Sequence, residues 1–306
     1  MPERDRQSDG VGGTNQVPPP SHATKDNNAH DRQDDEPERT DPVPGPGRAS
    51  SNKESLADLK LLEDTVHQAG PIARKYYGGD YKQWSKDGGS PVTDADLAVN
   101  KFLCDKLTAA RPDYAWLSEE NTDDPARLSR RNVFIIDPID GTIAFLKNRP
   151  HFTICAAIVA EGRPCCGVVY NPVKEELYSA RQGAGARCNG LAIQVKERKE
   201  LEGCAMLGDP SQFARAPWPP MHVQNRNSVA YRLALVADGT ADASVSLTSK
   251  RDWDLAAADI ILSEAGGRLT DASGAALIYN RPVTLQSSIV AANPELHTEI
   301  VSLLRQ

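Results

Sequence analysis

The sequence has 306 residues, 39% of them hydrophobic and 25% charged, with a formal net charge of -7. That length allows one large domain or two packed ones in a chain of ordinary globular composition. The acidic balance argues against a nucleic-acid polymer or a membrane surface as partner, because both demand a basic face. A small phosphorylated substrate stays open, since a divalent metal can supply local positive charge.

Residues 1–52 are rich in Pro, Gly, Asp, Asn, Arg and Gln and nearly free of large apolar side chains. Such a segment cannot bury enough surface to offset the entropy of ordering, so a disordered tail is expected. It lacks the basic stretch and apolar run of a secretory signal. No later apolar run is long enough to span a bilayer. A cytoplasmic location follows as an expectation, with reduced thiols at Cys104, Cys155, Cys165, Cys166, Cys188 and Cys204. None of these forms a CxxC pair, which argues against structural zinc.

Order is expected from Lys53. Leu56, Leu59, Leu62, Val66, Ala69, Ile72, Ala73 and Tyr76 recur at helical steps, with Pro71 as a possible kink and Gly78-Gly79 as the stop. A second helix carries Leu97, Phe102, Leu103 and Leu107 and ends at Arg111-Pro112. Strands are expected at 115–118, 133–136, 153–159, 167–170, 176–180 and 185–188, with turns at Glu161-Gly162 and Asn189-Gly190. They read as a largely antiparallel sheet. Helices follow over 228–238, 254–265 and from Pro294, with strands at 241–247 and 288–291 between them. Interleaved helices and strands favour layered packing.

Four acidic motifs stand out. In Asp137-Pro138-Ile139-Asp140-Gly141-Thr142, an apolar strand ends in two carboxylates three positions apart. Proline and glycine can turn the chain so that both carboxylates and the Ile139 carbonyl meet at one point. Oxygen ligands of this kind suit Mg²⁺, although Asp, Pro and Gly also make ordinary turns. Leu117-Ser118-Glu119-Glu120 follows a short strand and alone reads as a solvated loop. Trp253-Asp254-Leu255-Ala256-Ala257 opens a helix, where Asp254 would serve as N-cap. Ser90-Pro91-Val92-Thr93-Asp94-Ala95-Asp96 resembles a capping box, with Thr93 as N-cap and Asp96 three residues on.

Taken in this order, the four motifs resemble those of the inositol monophosphatase superfamily of metal-dependent, lithium-sensitive phosphatases. The resemblance covers the chain from about Lys53 to its end. Glu264-Ala265-Gly266-Gly267, Gly167-Val168-Val169-Tyr170 and Gly183-Ala184-Gly185-Ala186 with Asn189-Gly190 are similar to further family elements. Leu117-Ser118-Glu119-Glu120 and Phe145-Leu146-Lys147-Asn148-Arg149 with Phe152 resemble the branch of CysQ-type 3'(2'),5'-bisphosphate nucleotidases. Ile143, where that branch often has a basic residue, and Asn227-Ser228, in place of a Gly-Ser pair, depart from the pattern.

The resemblance implies a layered αβαβα sandwich of the inositol monophosphatase and fructose-1,6-bisphosphatase type. Residues 53–195 would form an N-terminal α+β lobe with most metal ligands, and 196–306 a C-terminal α/β lobe. It implies two or three Mg²⁺ ions. Asp137 would bridge two of them, with Glu119 and the Ile139 carbonyl on one and Asp140 with Asp254 on the other. Asp96 and Thr142 would form a hydrogen-bonded pair that orients and deprotonates the attacking water, and the N–H groups of Gly141 and Thr142 would hold phosphate oxygens. The expected substrate is a small phosphorylated metabolite, foremost 3'-phosphoadenosine 5'-phosphate. Inositol monophosphate, histidinol phosphate and sugar phosphates are the alternatives, and a non-catalytic phosphate sensor is a further one. Lys147, Arg149, Arg226, Lys250 and Arg251 are candidates to meet a second phosphate, while His151 reads as structural. Family members occur as monomers and as homodimers, and either state fits.

Overall fold

The structure is a computed structural model that describes residues 48–85 and 91–305, with side chains from Lys53 onward. Helix α1 (Arg48–Tyr76) starts ahead of the expected onset at Lys53 and runs through Pro71 without a break. The expected disordered tail up to residue 47, and Ser90 of the fourth motif, lie outside the described residues. Leu62, Val66, Ala69 and Ala73 of α1 are fully buried, as the three- and four-residue spacing predicts. Helix α2 (Asp94–Ala110) packs beside it and buries Val99, Leu103 and Leu107.

A seven-stranded sheet follows in simple chain order. Its strands are β1 (Ala115–Ser118), β2 (Asn132–Asp140), β3 (Thr153–Ala160), β4 (Arg163–Asn171), β5 (Glu176–Arg181), β6 (Ala186–Cys188) and β7 (Leu191–Ile193). Only the β1–β2 pair is parallel; the others are antiparallel, as expected. Both expected hairpin turns, Glu161-Gly162 and Asn189-Gly190, have two residues at positive φ. That conformation matches the strand twist and explains the Asn-Gly choice. The short helix α3 (Thr142–Leu146) leaves the end of β2.

The remaining chain builds a second, five-stranded sheet from β8 (Ala205–Leu207), β9 (His222–Gln224), β10 (Ala243–Ser246), β11 (Arg268–Thr270) and β12 (Ile289–Ala292), in the order β9-β8-β10-β12-β11. Its helices are α4 (Val229–Ala237), α5 (Asp252–Glu264) and α6 (Pro294–Leu304).

Alternation along the strands decides the layering. Phe134 and Ile136 of β2, with Ile154, Ala156 and Ile158 of β3, join a core under α1 and α2. Their neighbours Val133, Ile135, Cys155, Ala157 and Val159 face the opposite way, into a core shared with α4 and α5. The same split recurs in β12, where Ile289 and Ala291 face α4 and α5 while Val290 and Ala292 face α6. Side chains that alternate at period two thus bury both faces of each sheet. The result is α1/α2, sheet, α4/α5, sheet, α6, the expected αβαβα sandwich.

The middle helices pack very closely. A Cβ on Gly167 of β4 would lie 2.5 Å from the Ala257 carbonyl oxygen and 2.6 Å from Ile260 Cγ2 of α5. Only glycine lets this helix rest on the sheet, and the run Ala256-Ala257-Ala258 provides the matching small face. Gly167→Ala is expected to destabilise the protein by about 1–3 kcal/mol through overpacking. A urea midpoint equal to wild type would show that the layers are looser than this contact implies.

Candidate active site

The β2 strand contains the decisive irregularity. Asp137 pairs with Cys155 and Asp140 with Thr153, so three steps on β2 oppose two on β3. One residue is bulged where Pro138 has no N–H to give the ladder. In a regular strand, side chains three apart point to opposite faces. The bulge resets the phase and brings both carboxylates to the α4/α5 face. Asp137 Oδ1 also accepts from the Ile139 N–H at 3.0 Å, which tightens the turn.

Two helix starts complete the site. Asp140 Oδ2 accepts from Ser228 Oγ and from the Ala230 N–H, both at 2.7 Å, at the first turn of α4. Ser228 has one hydroxyl proton and gives it to Asp140. It therefore accepts from the Tyr231 N–H at 2.9 Å and from Thr153 Oγ1 at 3.0 Å. Asp254 lies in the first turn of α5, and its Oδ2 accepts from the Arg251 N–H at 2.8 Å. The N-cap position itself belongs to Arg251, which corrects the expectation that Asp254 fills it. Asp254 closes the turn from three residues inside the helix, where a carboxylate reaches back to an unpaired N–H.

Carboxylate oxygens of Asp137, Asp140 and Asp254 all lie within 4.8 Å of one another. Glu119 approaches from the end of β1, its N–H bonded to the Ile136 carbonyl at 3.3 Å. A network from Ser118 Oγ to Asn100 Oδ1 (2.7 Å) and from Asn100 Nδ2 to Asn121 Oδ1 (2.9 Å) ties this loop to α2. An open cleft lined by Ser118, Asn121, Asp123, Arg251, Trp253 and Thr284 lies beside it, next in sequence to Glu119 and Asp254.

Gly141 begins α3 at φ +94, and a Cβ there would sit 2.9 Å from both the His151 carbonyl oxygen and the Ser228 nitrogen. Glycine is required on both counts. Asp96 is buried at the start of α2, where its Oδ2 accepts from the Thr93 N–H (2.8 Å) and Thr93 Oγ1 (2.6 Å). The capping box read from the sequence is therefore real. The expected Asp96–Thr142 pair is not formed among the described residues: Thr142 Oγ1 donates to the Ile139 carbonyl at 3.2 Å, while Asp96 is engaged by Thr93. Lys147 and Arg149 are exposed, and His151 is half-buried with its N–H on the Arg149 carbonyl. Arg226 is tied to Gln224 Oε1 at 2.8 Å, and Arg251 stacks over the Trp253 ring at 5.7 Å.

The charge state follows from this crowding. Burial pushes the Asp137 carboxyl well up, and Glu119, Asp140, Asp254 and Asp96 push it further. Asp140 is raised by burial to about 6, with Ser228 and the α4 N–H groups opposing the shift. Asp254 is raised to about 7 by burial and then by Asp140. Burial also raises Asp96 to about 7, against its bonds to Thr93, with Glu120 and Glu119 adding to the rise. Sequence reasoning marked Ser228 only as part of Asn227-Ser228 and missed Thr153 as a site residue. The helix-cap pattern of Ser228 was visible, but its bond to a residue 88 positions away was not.

The arrangement fits a hard divalent cation. Its donors are oxygens only. Among the described residues, no lysine or arginine forms an ion pair with the triad, so its charge is unbalanced by the chain.

The model of the inositol monophosphatase family matches residues 57–306. The chain belongs to this family. It is 33% identical over 236 residues to the 3'(2'),5'-bisphosphate nucleotidase CysQ of Aggregatibacter actinomycetemcomitans, covering 72% of this chain and 88% of that protein. It is 29% identical over 267 residues to the Nus factor SuhB of Escherichia coli strain K12, covering 81% and 95%. Among solved structures, the Thermotoga maritima IMPase superposes with a TM-score of 0.73 at 28% identity, covering 81% of this chain and 97% of the other.

The raised carboxyls set a pH signature for the metal-free protein. Their folded values exceed the unfolded one, so their stabilising protonated form is fully present below about 4 and lost as pH rises through 6 to 7. The melting temperature of chelated protein is expected to fall between about pH 4 and 7 and to level off above, and millimolar Mg²⁺ is expected to reverse the fall by binding the ionised form. A flat profile that Mg²⁺ leaves unchanged would remove the metal-site reading.

Proposed function

We propose that this chain is a Mg²⁺-dependent phosphomonoester hydrolase, and that its substrate is a 3'(2'),5'-bisphosphate nucleotide such as 3'-phosphoadenosine 5'-phosphate. The observation that carries the reading is the convergence of Asp137, Asp140 and Asp254 within 4.8 Å, built by a bulge and two helix starts. Similarity to the 3'(2'),5'-bisphosphate nucleotidase CysQ supports the choice of substrate.

Asp137, Asp140, Asp254, Glu119 and the Ile139 carbonyl would hold the metal. When bound, Mg²⁺ lowers the pKa of water and stabilises charge on the leaving oxygen. The remaining work falls to the chain. Asp140 and Asp254 are fixed by α4 and α5, so their oxygens keep one geometry through the reaction. Asp96, whose carboxyl burial raises to about 7, would in its ionised form accept a proton from the attacking water. The N–H groups of Gly141 and Thr142 orient phosphate oxygens. The site then lies between an N-terminal lobe of residues 53–195 and a C-terminal lobe of 196–306, in a cytoplasmic enzyme.

A second reading, a non-catalytic role, is favoured by SuhB of Escherichia coli, which matches 81% of the chain against 72% for CysQ and is named a Nus factor. Phosphate release from 3'-phosphoadenosine 5'-phosphate and from inositol 1-phosphate separates the cases. Preference for the nucleotide by roughly tenfold or more is expected. Asp137→Asn is expected to lower the rate on the order of a hundredfold or more, since a ligand matters at least as much as its outer-shell partners. Preference for inositol 1-phosphate would move the substrate and leave the chemistry. Release from neither would sink the phosphatase reading, and an Asp137→Asn rate equal to wild type would sink the assigned site.

A further inference from the structure

The cleft beside the acidic cluster is walled by two separate stretches of chain. Residues 117–123 contribute to one wall, and residues 251–253 with 282–284 to the other. Glu119 belongs to the first stretch, and Asp254 directly follows Trp253 of the second. About 390 Å³ of open space lies between them, so packing within the cleft cannot set their separation. Carboxylates of one metal site need fixed spacing, because ligand distances tolerate only about 0.2 Å. Something outside the cleft has to hold the two walls.

Arg127 does so by direct contact. It lies in a short 3₁₀ helix (Pro125–Ser129) between β1 and β2 and is only 2% exposed. Its Nε and Nη2 donate to Asp123 Oδ1 and Oδ2 at 2.6 and 2.8 Å, a planar fork on one carboxylate. The rest of the guanidinium crosses to a loop some 153 positions along the chain. Nη1 donates to Asn280 Oδ1 at 2.7 Å, and Nη2 also donates to the Arg281 carbonyl at 3.1 Å. That loop passes the contact on to α5. The Asn280 N–H donates to Asp252 Oδ2 and Gln286 Nε2 to Asp252 Oδ1, both at 2.8 Å. Asp252 is fully buried as the first residue of α5, and its own N–H donates to the Thr284 carbonyl at 2.9 Å. Asp254 stands two residues further on.

An unbroken chain of hydrogen bonds therefore runs from Asp123, on the wall that carries Glu119, through Arg127, Asn280 and Asp252 to the helix start that carries Asp254. Stability alone is a poor reason for an arginine here, since apolar residues of similar volume often replace a buried ion pair at no loss. A guanidinium is instead suited to fixing geometry, because its rigid fork sets distance and angle together. Asn280 contributes to the same end. It adopts φ +54, a left-handed conformation that Asn tolerates better than most residues, and there it presents its N–H to Asp252 and its Oδ1 to Arg127.

We propose that Arg127 is a positioning residue for the metal site: it clasps the loop after β1 to the start of α5 and so fixes the spacing between Glu119 and Asp254. The proposal rests on the phosphatase reading above and adds to it a residue that acts through others. The sequence marks neither Arg127 nor Asn280, because the contact between them is not local.

The test is calorimetric titration of the full chain with Mg²⁺, without substrate and well below the melting temperature. Arg127→Gln is expected to weaken Mg²⁺ binding by roughly tenfold or more, the scale of an outer-shell partner. Arg127→Lys keeps the charge and loses the fork, and should recover part of the affinity. Asn280→Gly opens only the far side of the clasp, since glycine accepts the same φ and keeps the N–H to Asp252. It should weaken binding by a smaller factor and add little to Arg127→Gln, because both changes break one clasp. In the phosphatase assay, the Mg²⁺ concentration for half-maximal rate should rise in the same order, while kcat at saturating Mg²⁺ returns towards wild type. Leu296→Ala, in the core beneath α6, is the control for general destabilisation; it should lower the melting temperature and leave Mg²⁺ affinity unchanged. Wild-type affinity in both Arg127→Gln and Asn280→Gly would overturn the clasp, and so would an equal loss in Leu296→Ala. Either result leaves the phosphatase reading standing where wild type binds Mg²⁺ and releases phosphate. A wild type that does neither removes that reading and the clasp with it.

Discussion

Mutual repulsion among buried carboxylates is the constraint around which this molecule is arranged. Three of them converge within 4.8 Å, a fourth, Glu119, acts on them from just beyond β1, and among the described residues no basic side chain forms an ion pair with the triad. In a place of low polarity, such a cluster resists full ionisation. It persists because each member is held by something rigid. Asp137 and Asp140 are fixed by the β2 bulge, Asp140 also by Ser228 and α4, and Asp254 by the first turn of α5.

The rest of the fold serves that positioning. Helices α4 and α5 lie between two sheets, so their first turns cannot drift. Their seating depends on small contacts, above all Gly167 under Ala257 and Ile260. The field of the helix starts, with their unpaired N–H groups, favours the ionised carboxylates and opposes part of the burial effect. That opposition is visible at Asp140, where Ser228 and the α4 N–H groups pull the carboxyl down against desolvation. The balance leaves a site that is strained without a cation and suited to one.

Charge is also distributed unevenly around the cluster. The buried Arg232 and the half-buried Lys250 feel Asp140 and Asp254 as their strongest attracting carboxylates.

Much of this was legible in the sequence. Helical spacing located α1 and α2, short β-branched and apolar runs located β2 to β4, and the order of four acidic motifs pointed to the family and to every member of the triad. Those signals are local or are carried by motif order, so a linear string preserves them. Other features required the folded chain. The bulge between Asp137 and Asp140 exists only relative to β3, because a strand has no phase error until a partner counts it. Asp254 was readable as a helix-start residue, but its place inside the first turn depends on where the short strand Lys250–Arg251 ends. Ser228 was legible only as half of the Asn227-Ser228 pair. Its meaning comes from Asp140, 88 positions earlier, and only packing α4 against the end of β2 brings the two together. The sequence by itself determined which residue types were available and which segments would be helix or strand. Tertiary structure decided which charges would share one buried space, because electrostatic energy depends on distance through space rather than along the chain.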